Sequence, residues 1–428
     1  MKTIYGATAL AALAGLAAAK DQQTFSVLRF NGMVTQGRMD PIVSPGEDSQ
    51  HVHGVLGGIG FHKSATKDDL MNSECTSAKV QGDNSAYWFP TLYFKDPNND
   101  EVESVNMYYA NVYYFFDATD DEIKAFPAGL KMVAGDAMRR VVPDTGANMN
   151  LDPSKGPISN VQWTCPRLNN VFDPPSWVPD SDGSMAGIGS SDPQSGIGFP
   201  DRACDGMYSP LRADVHFPSC YNPDVGLDNY AENMDWPTDA GNWKVNCPEG
   251  WIHVPHIFLE VYWDTPAFND RWEPGSGVQP FMLSNGDATG YSSHGDFFAG
   301  WDEPTLQNII DNCNTGHDGM HTCPGVTPND APCVKPSEVD EPIDGVLPKL
   351  PGDNPYRGWA YGVDDAPSTS VHSESAVPES TAVPTAEPTP TPLPTSDMSG
   401  STLRRSATHR RHHHLHARQH LHTHRHHL

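Results

Sequence analysis

Short runs of alternating apolar and polar residues fill the first 360 positions of the chain, separated by glycine, proline, aspartate and asparagine. Alternation with a period of two residues predicts β-strands with one buried face, and the β-branched and aromatic residues in these runs favour strands too. We predict strands at residues 24–30, 87–94, 105–116, 130–133, 156–163, 211–217 and 256–262. The expected fold class is mainly β, an antiparallel β-sandwich-like body of two packed sheets.

Helical periodicity is rare, which predicts few and short helices. Residues 303–312 form the stronger candidate, because Asp302 can cap the first turn and Pro304 stands near its start. Residues 118–126 form a weaker candidate. The 39 prolines and 37 glycines predict long loops between the strands.

Composition divides the chain into four regions. Residues 1–19 place an apolar alanine, leucine and glycine run after Lys2, which predicts a secretory signal peptide. Residues 20–362 contain nearly all the aromatic residues and every cysteine, so they form the expected β-rich domain. Ser, Thr, Pro, Ala and Glu dominate residues 366–402, a disordered linker suited to O-glycosylation. Residues 403–428 form a His/Arg-rich tail, which completes a C-terminal region expected to be disordered.

Net charge and cysteine content limit which partners and which cellular compartment the protein is expected to have. The formal net charge of −27 argues against nucleic acid as a partner. The eight cysteines include no Cys-x-x-Cys pair, which predicts up to four disulfides, one of them local among the cysteines at 313, 323 and 333. We expect no transmembrane segment, because no apolar run is long enough. The protein is therefore predicted to be secreted, and its oligomeric state stays open.

Residues 38–61, RMDPIVSPGEDSQHVHGVLGGIGF, concentrate polar chemistry in one segment. His51 and His53 are two residues apart, so on an extended chain their imidazoles point to the same side and can converge on one ligand. Arg38 and Asp40 are candidate substrate-binding residues. In the alternative, the histidines form hydrogen bonds within a tight loop, and Asp40 pairs with Arg38 or caps a turn.

A second polar segment, NGDATGYSSHGD at residues 285–296, contains a histidine and two aspartates on a glycine-rich loop. Glycine permits the sharp turns that bring short side chains inward. We predict one pocket with the catalytic residues His51, His53, Asp287, His294 and Asp296. A histidine would act as general base and an aspartate would orient it or act as the acid. In the alternative, Asp287 and Asp296 only close Asx turns.

The cofactor is left open, with a divalent transition metal as the expectation. Imidazole and carboxylate ligands suit zinc, copper or another first-row ion and argue against calcium. In the body the expected metal ligands are His51, His53 and His294. The tail offers a second set, His412, His413, His414 and His416, because dense histidines bind such ions without a preformed fold.

Asp83 and Trp88 complete the predicted substrate-binding residues. Tryptophan offers a flat face that stacks on sugar rings, although the ten tryptophans are more often core material. Gly-x-Ser-x-Gly, a phosphate-binding glycine loop with lysine, and His-Glu-x-x-His are all missing from the sequence, which sets aside serine hydrolases, P-loop proteins and zincins. Glycosidase chemistry with a carboxylate pair stays open.

Several motifs together resemble a known family. The most specific are FNGMVTQGRMDPIVSPGEDSQHVHGVLGG at 30–58, DNSAYWFPTLYF at 83–94 and LSNGDATGYSSHGDFFAGWD at 283–302. They resemble a family of fungal secreted proteins defined as a domain of unknown function, DUF1996. The resemblance spans residues 30–313 and implies an extracellular or cell-wall protein, without implying a reaction.

Two departures from the family pattern bear on activity. Where such proteins carry Asp-His…His-Met, this chain reads LDNYAENMDWP at 227–237, and Cys247 is followed by Pro-Glu-Gly-Trp rather than Pro-x-x-His. His253 and His256 lie nearby but out of step. The departures imply a non-catalytic or re-specialised member.

Two functional hypotheses follow. In the first, a secreted or cell-wall-associated protein binds or acts on a polysaccharide through the His/Asp pocket. In the second, a non-enzymatic surface or metal-binding protein uses the His-rich tail. Convergence of His51, His53 and His294 would favour the first, and whether the protein is an enzyme stays open.

Overall fold

The computed structural model describes residues 20–99, 101–276 and 279–359. The predicted signal peptide, linker and tail lie outside these described residues, and so do the tail histidines at 412, 413, 414 and 416. The described residues form two α-helices, α1 (Lys67–Met71) and α2 (Glu303–Asn312), and short 3-10 turns at Pro153–Lys155, Leu168–Asn170, Thr265–Phe268, Met320–Thr322 and Pro351–Asp353.

Strands dominate the described part of the chain. In chain order they are β1 (Thr24–Arg29), β2 (Thr35–Gly37), β3 (His53–Gly57), β4 (Ala86–Pro90), β5 (Leu92–Lys95), β6 (Val102–Ser104), β7 (Met107–Phe116), β8 (Lys131–Gly135), β9 (Val161–Thr164), β10 (Ile188–Gly189), β11 (Ser195–Ile197), β12 (Arg212–His216), β13 (Cys220–Tyr221), β14 (Met234–Asp235), β15 (Thr238–Gly241), β16 (Lys244–Asn246), β17 (Ile252–His253), β18 (His256–Trp263), β19 (Phe281–Leu283), β20 (His294–Phe298) and β21 (Val346–Leu347).

Two large sheets make up the body. The seven-stranded sheet has the order β1-β7-β18-β12-β9-β11-β10, and the five-stranded sheet has the order β2-β3-β4-β20-β8. Smaller sheets pair β19-β5-β6-β21, β14-β13-β17 and β15-β16. The ladders between these strands are antiparallel, as in the β4–β20 and β7–β18 pairs, so the predicted mainly β, antiparallel class is confirmed.

The main core lies between the two large sheets. Alternate residues of a strand face opposite sides, and those of β4 and β20 that face the seven-stranded sheet join its large hydrophobic cluster. The ring centroids of Phe89 and Trp263 are 5.9 Å apart across this interface. Gly295 allows the close approach, because a Cβ there would lie 3.0 Å from the ring of Phe217 and 3.3 Å from Leu259.

A second hydrophobic cluster covers the opposite, outer face of the five-stranded sheet. Val55, Trp88 and Phe298 point outward from β3, β4 and β20, and they pack with Met39 and Phe61, which lie outside the sheet. Both faces of these strands are therefore buried. The chain between β2 and β3 forms a lid over the sheet, and this arrangement positions the candidate site.

Several predicted elements are confirmed. Strands occur in all seven predicted segments, although only at the end of 156–163, and α2 begins as expected, with the Asp302 carboxylate accepting a hydrogen bond from Thr305 N at 3.0 Å. The predicted helix at 118–126 is wrong, because its backbone bonds to distant segments: Lys124 N donates to His253 O at 2.8 Å. The predicted strand at 87–94 is broken at Thr91, whose N–H donates to Val52 O, and it forms β4 and β5 of different sheets.

All eight cysteines form disulfides. The pairs are Cys75–Cys333, Cys165–Cys204, Cys220–Cys247 and Cys313–Cys323, which includes the predicted local bridge. Four disulfides are typical of proteins that fold in an oxidising compartment. Within the described ranges, the helices lack the length and apolarity needed to cross a bilayer.

Candidate metal centre

Three histidines from two distant parts of the chain meet at the outer face of the five-stranded sheet. His53 begins β3 and His294 begins β20, and both point outward because their neighbours along the strand face the main core. His51 lies in the extended segment that leads into β3, and its ring centroid is 4.2 Å from that of His53. The two sequence segments thus meet in one place.

The ring nitrogens of the three histidines lie at ligand-like separations. One nitrogen of each ring is within 4.8 Å of those of the other two, and Nε2 of His51 is 3.1 Å from Nε2 of His294. Two nitrogens that each bind a tetrahedral zinc at about 2.0–2.1 Å are about 3.3 Å apart. A metal ion therefore needs side-chain shifts on the order of 1 Å to complete three bonds.

Backbone carbonyls orient two of the rings. Nδ1 of His53 donates to Met39 O at 3.1 Å, and Nδ1 of His294 donates to Ser292 O at 2.7 Å. Both rings therefore present an Nε2 lone pair, and that of His53 is buried without a hydrogen-bond partner. Fixing the distal N–H of a histidine in this way is typical of metal ligands.

Burial keeps all three imidazoles neutral. Desolvation lowers the pKa of His53 to about 3, offset in part by its bond to Met39 O. Burial, followed by the neighbouring His53, lowers the pKa of His294 to about 4. The pKa of His51 is also lowered, first by burial and then by the other two histidines. Neutral imidazole is the form that binds a metal ion.

The lid between β2 and β3 closes the cluster from solvent. His51, His53 and His294 are 6%, 0% and 3% exposed. The lid is held by a hydrogen bond from Ser49 N to Arg38 O, and Asn354 Nδ2 donates to the carbonyl of Gln50 beside the cluster. The site is thus a closed one in this structure.

Asp296 is the predicted acid that shares this environment. It faces the same side as His294, two residues along β20, and its Oδ2 is buried without a hydrogen-bond partner. Burial, with a smaller effect from the charge of Asp40, raises its pKa well above the usual range. Asp40 accepts hydrogen bonds from Ile42 N and Val43 N through Oδ1, so it caps the turn in the lid.

Asp287 organises its own loop. Its Oδ1 accepts from the backbone N and hydroxyl of Thr289, and its Oδ2 accepts from the backbone N and hydroxyl of Ser292, all at 2.6–2.9 Å. Both oxygens are therefore occupied. Since Ser292 also orients His294 through its carbonyl, Asp287 supports the cluster indirectly.

None of the three remaining candidate residues belongs to the group of clustered histidines. Arg38 binds Glu341 at 2.5 Å and Ser49 O at 2.8 Å, which ties the lid to a later loop. Asp83 accepts from Tyr87 Oη at 3.0 Å in the core between the sheets, and burial raises its pKa to about 7. Trp88 is fully buried.

His253 and His256, the other two histidines considered from the sequence, lie on different sheets. His253 contacts Asp121 at 3.1 Å, and although Cys247 is close to both, its sulfur is bonded to Cys220 and cannot serve as a thiolate. Nε2 of His256, in the seven-stranded sheet, is 2.9 Å from Nδ1 of His216. Neither His253 nor His256 belongs to the group formed by the three clustered histidines.

Sequence reasoning missed a polar group on β12 and β18, where Arg212 lies between Asp214 and Glu260. The signal was present in both strands. RADVH places Arg, Asp and His at alternate positions, and in HIFLEVYW His256, Glu260 and Tyr262 belong to one alternate set, which predicts one largely polar face.

Comparison with known proteins gives a family and no closer relative. The chain has no match among curated proteins or solved structures. Residues 40–301 match the family described as a domain of unknown function (DUF1996). This segment includes all three clustered histidines and covers more than half of the chain, which therefore belongs to the DUF1996 family.

Proposed function

We propose that this protein is an exported metal-binding protein, in which His51, His53 and His294 hold one divalent transition metal, zinc or copper. The convergence of three neutral, buried imidazoles with nitrogens within 4.8 Å carries the proposal. The predicted signal peptide at 1–19 and the four disulfides support export.

The burial of the cluster favours a structural over a catalytic role for the metal. Catalytic zinc sites keep a position open to water or substrate, whereas structural sites are closed. Here the ligands would join the lid to β20, so a bound ion would fix the lid on the sheet. Asp40, whose charge acts on His294, is the acid best placed to balance the added charge.

A metal titration of the full chain tests this proposal. The tail histidines are a second candidate set, favoured by their density. The titration therefore compares the wild type with a variant in which all ten histidines of residues 403–428, including His412, His413, His414 and His416, are alanine. We expect this variant to keep one tight zinc or copper equivalent. Adding His294→Ala should abolish that equivalent, whereas adding His62→Ala, a histidine outside the cluster, should leave it.

Two results would contradict the proposal. Loss of all tight binding in the tail variant would assign metal binding to the tail alone. Retention of the tight equivalent after His294→Ala would exclude the cluster as its site.

The convergence of His51, His53 and His294 was expected to favour a polysaccharide pocket, but the burial of all three rings means that we do not place a polysaccharide at the histidines. A polymer cannot reach buried imidazoles while the lid is closed, and Trp88 offers no exposed face to a sugar. A polysaccharide partner of this protein would therefore bind a different, open surface.

A further inference from the structure

A second group of metal-binding side chains lies around the small β14-β13-β17 sheet. One carboxylate oxygen of Asp121, the sulfur of Cys247 and one ring nitrogen of His253 lie within 4.8 Å of one another. The register places Cys220 in β13 directly opposite His253 in β17, so the two side chains are neighbours on one face of the sheet. The Cys220–Cys247 disulfide thereby holds Cys247 beside the imidazole.

Asp121 ties these three residues together, and we call them the Asp–Cys–His group. Its Oδ2 accepts hydrogen bonds from Cys247 N at 2.8 Å and from His253 Nδ1 at 3.1 Å. Two ligand atoms that bind a tetrahedral zinc at about 2.0–2.1 Å are about 3.3 Å apart. A metal ion can therefore replace the proton between this carboxylate and this imidazole after side-chain shifts of roughly a few tenths of an ångström.

The far side of the His253 ring is also arranged for metal binding. Among the described residues, Nε2 of His253 is buried without a hydrogen-bond partner, and Asp117 Oδ2 lies 3.7 Å from it. The other oxygen of Asp117 accepts from Gln23 Nε2 at 2.7 Å, so Oδ2 is left for the histidine. When Nδ1 binds a metal ion, the ring proton is on Nε2. A carboxylate that accepts this distal N–H is typical of histidines that bind zinc.

The ligand types suit a divalent transition metal. A thiolate, a carboxylate and a neutral imidazole together balance the charge of a dication, and sulfur, nitrogen and oxygen donors of this kind bind zinc. In the oxidised protein the group lacks one ligand only, because the Cys247 sulfur is bonded to Cys220. The disulfide therefore masks a site whose other two ligands are already in place.

A reductant in solution can reach this bridge. Cys247 and Cys75 are half-buried, whereas the other six cysteines are at most 4% exposed. The Asp121 side chain beside the bridge is 31% exposed. Exposed disulfides are the ones that thiol exchange opens most readily.

We propose that reduction of the Cys220–Cys247 disulfide creates a second zinc site, formed by the Cys247 thiolate, His253 and Asp121. The reductant is a low-molecular-weight thiol. Two of its molecules give one proton and one electron each to the protein, so the S–S bond breaks, two protein thiols form, and the two reductant sulfurs join in a disulfide. Zinc then displaces the proton of the Cys247 thiol, and His253 takes the tautomer with its proton on Nε2.

This site shares no ligand with His51, His53 and His294. The inference therefore goes beyond the proposed metal function and does not depend on it. It makes the Cys220–Cys247 bridge a redox-controlled gate, in which zinc binds the reduced protein and is excluded from the oxidised one.

Zinc titration of a Cys220→Ser variant tests the inference. The parent protein is the variant without tail histidines, and oxygen is kept out. The substitution opens the bridge and leaves Cys247 as a free thiol. We expect one tight zinc equivalent beyond those of the parent. Cobalt in the place of zinc should give the near-ultraviolet charge-transfer absorption of a thiolate ligand, which the parent should lack because it has no free cysteine.

Two further substitutions in the Cys220→Ser variant assign the ligands. His253→Ala removes the imidazole and Asp121→Asn removes the charged oxygen, and each should weaken binding of the added equivalent about tenfold or more. Cys333→Ser in the parent is the matched control, because it opens a different disulfide and frees the half-buried Cys75. Within the described ranges Cys75 belongs to neither metal-binding group, so this control should show neither the added equivalent nor the absorption.

A second measurement keeps the native cysteines and serves if Cys220→Ser fails to fold. After partial reduction with a water-soluble phosphine, iodoacetamide should alkylate Cys247 about tenfold or more slowly with zinc than without it, because a bound thiolate is not free to attack. Cys75 should react at the same rate in both conditions.

Four outcomes overturn the inference. They are a folded Cys220→Ser variant without the added equivalent, an equal gain in Cys333→Ser, alkylation of Cys247 that zinc does not change, and a Cys220–Cys247 bridge that the phosphine leaves intact in the folded protein.

Discussion

Zinc should stabilise the folded protein by an amount that follows from mass action. A ligand that binds only the folded state adds about 2.7 kcal/mol to the free energy of unfolding when its concentration is 100 times the dissociation constant. The three histidines come from segments about 240 residues apart, so the unfolded chain offers no preformed site.

The expected shift in melting temperature can be worked from the length of the folded part. For the roughly 340 described residues, an unfolding entropy of about 2.1 cal/mol/K per residue gives about 0.7 kcal/mol/K. Dividing 2.7 by 0.7 predicts a rise of roughly 4 °C. The assay is differential scanning calorimetry of the variant without tail histidines, with and without zinc.

Variants within the cluster should remove this shift. His53→Ala or His294→Ala deletes one of three ligands, and we expect the zinc-dependent rise to fall below about 1 °C. His62→Ala should keep the full rise, because that histidine pairs with Asp69 outside the cluster. An equal zinc-dependent rise in His294→Ala and the wild type would refute the reasoning, as would no rise with either zinc or copper at saturation.

Three further predictions concern pH and stability. Because burial lowers the pKa of His53 to about 3 and that of His294 to about 4, both rings stay neutral at pH 5.5. Equilibrium dialysis should therefore show the metal still bound at this pH. Full release of the metal at pH 5.5 would contradict the claim that the rings are neutral. The pKa of Asp83 in the folded state, about 7, exceeds the usual 3.8, so the folded state binds more protons and the free energy of unfolding falls as pH rises from about 4 to 7. Measured by urea denaturation, Asp83→Asn should remove up to roughly 4 kcal/mol of that fall. The same dependence of the unfolding free energy on pH in the variant and the wild type would count against this account. Replacing Cys75 and Cys333 by serine opens a bridge between residues 258 positions apart and should cost about 2–5 kcal/mol in urea denaturation; an unchanged midpoint would show that this bridge contributes nothing.

Alternation predicted the strands well where one face is buried, and less well where both are. In β7, buried and half-exposed residues alternate along most of the strand. In β4 and β5 every residue is buried, so the sequence there shows no period of two. The break at Thr91 depends on its bond to Val52 O, a long-range contact that no local pattern reveals.

The histidine cluster could be predicted in part from the spacing of its residues. His51 and His53 share one side of an extended segment, and the glycine-rich loop at 285–296 indicated a polar turn. The pairing of β20 with β4, which brings His294 to the same face, depends on tertiary structure. The sequence could not decide whether Asp287 is catalytic or closes a turn, because an aspartate in a glycine-rich loop suits both roles.

The closed lid was the least predictable feature. Met39 O orients His53, yet a hydrogen bond to a backbone carbonyl cannot be predicted from residue types, because every residue has such a carbonyl. Likewise, the departures at 227–237 and after Cys247 suggested a weakened site, but the three clustered histidines are complete without either segment.

Anomalous X-ray diffraction from crystals grown with zinc tests the central claim most directly. We predict one strong peak at the zinc absorption edge, about 2.0–2.1 Å from a ring nitrogen of each of His51, His53 and His294. A zinc-saturated crystal with no anomalous density among these three rings would contradict the claim.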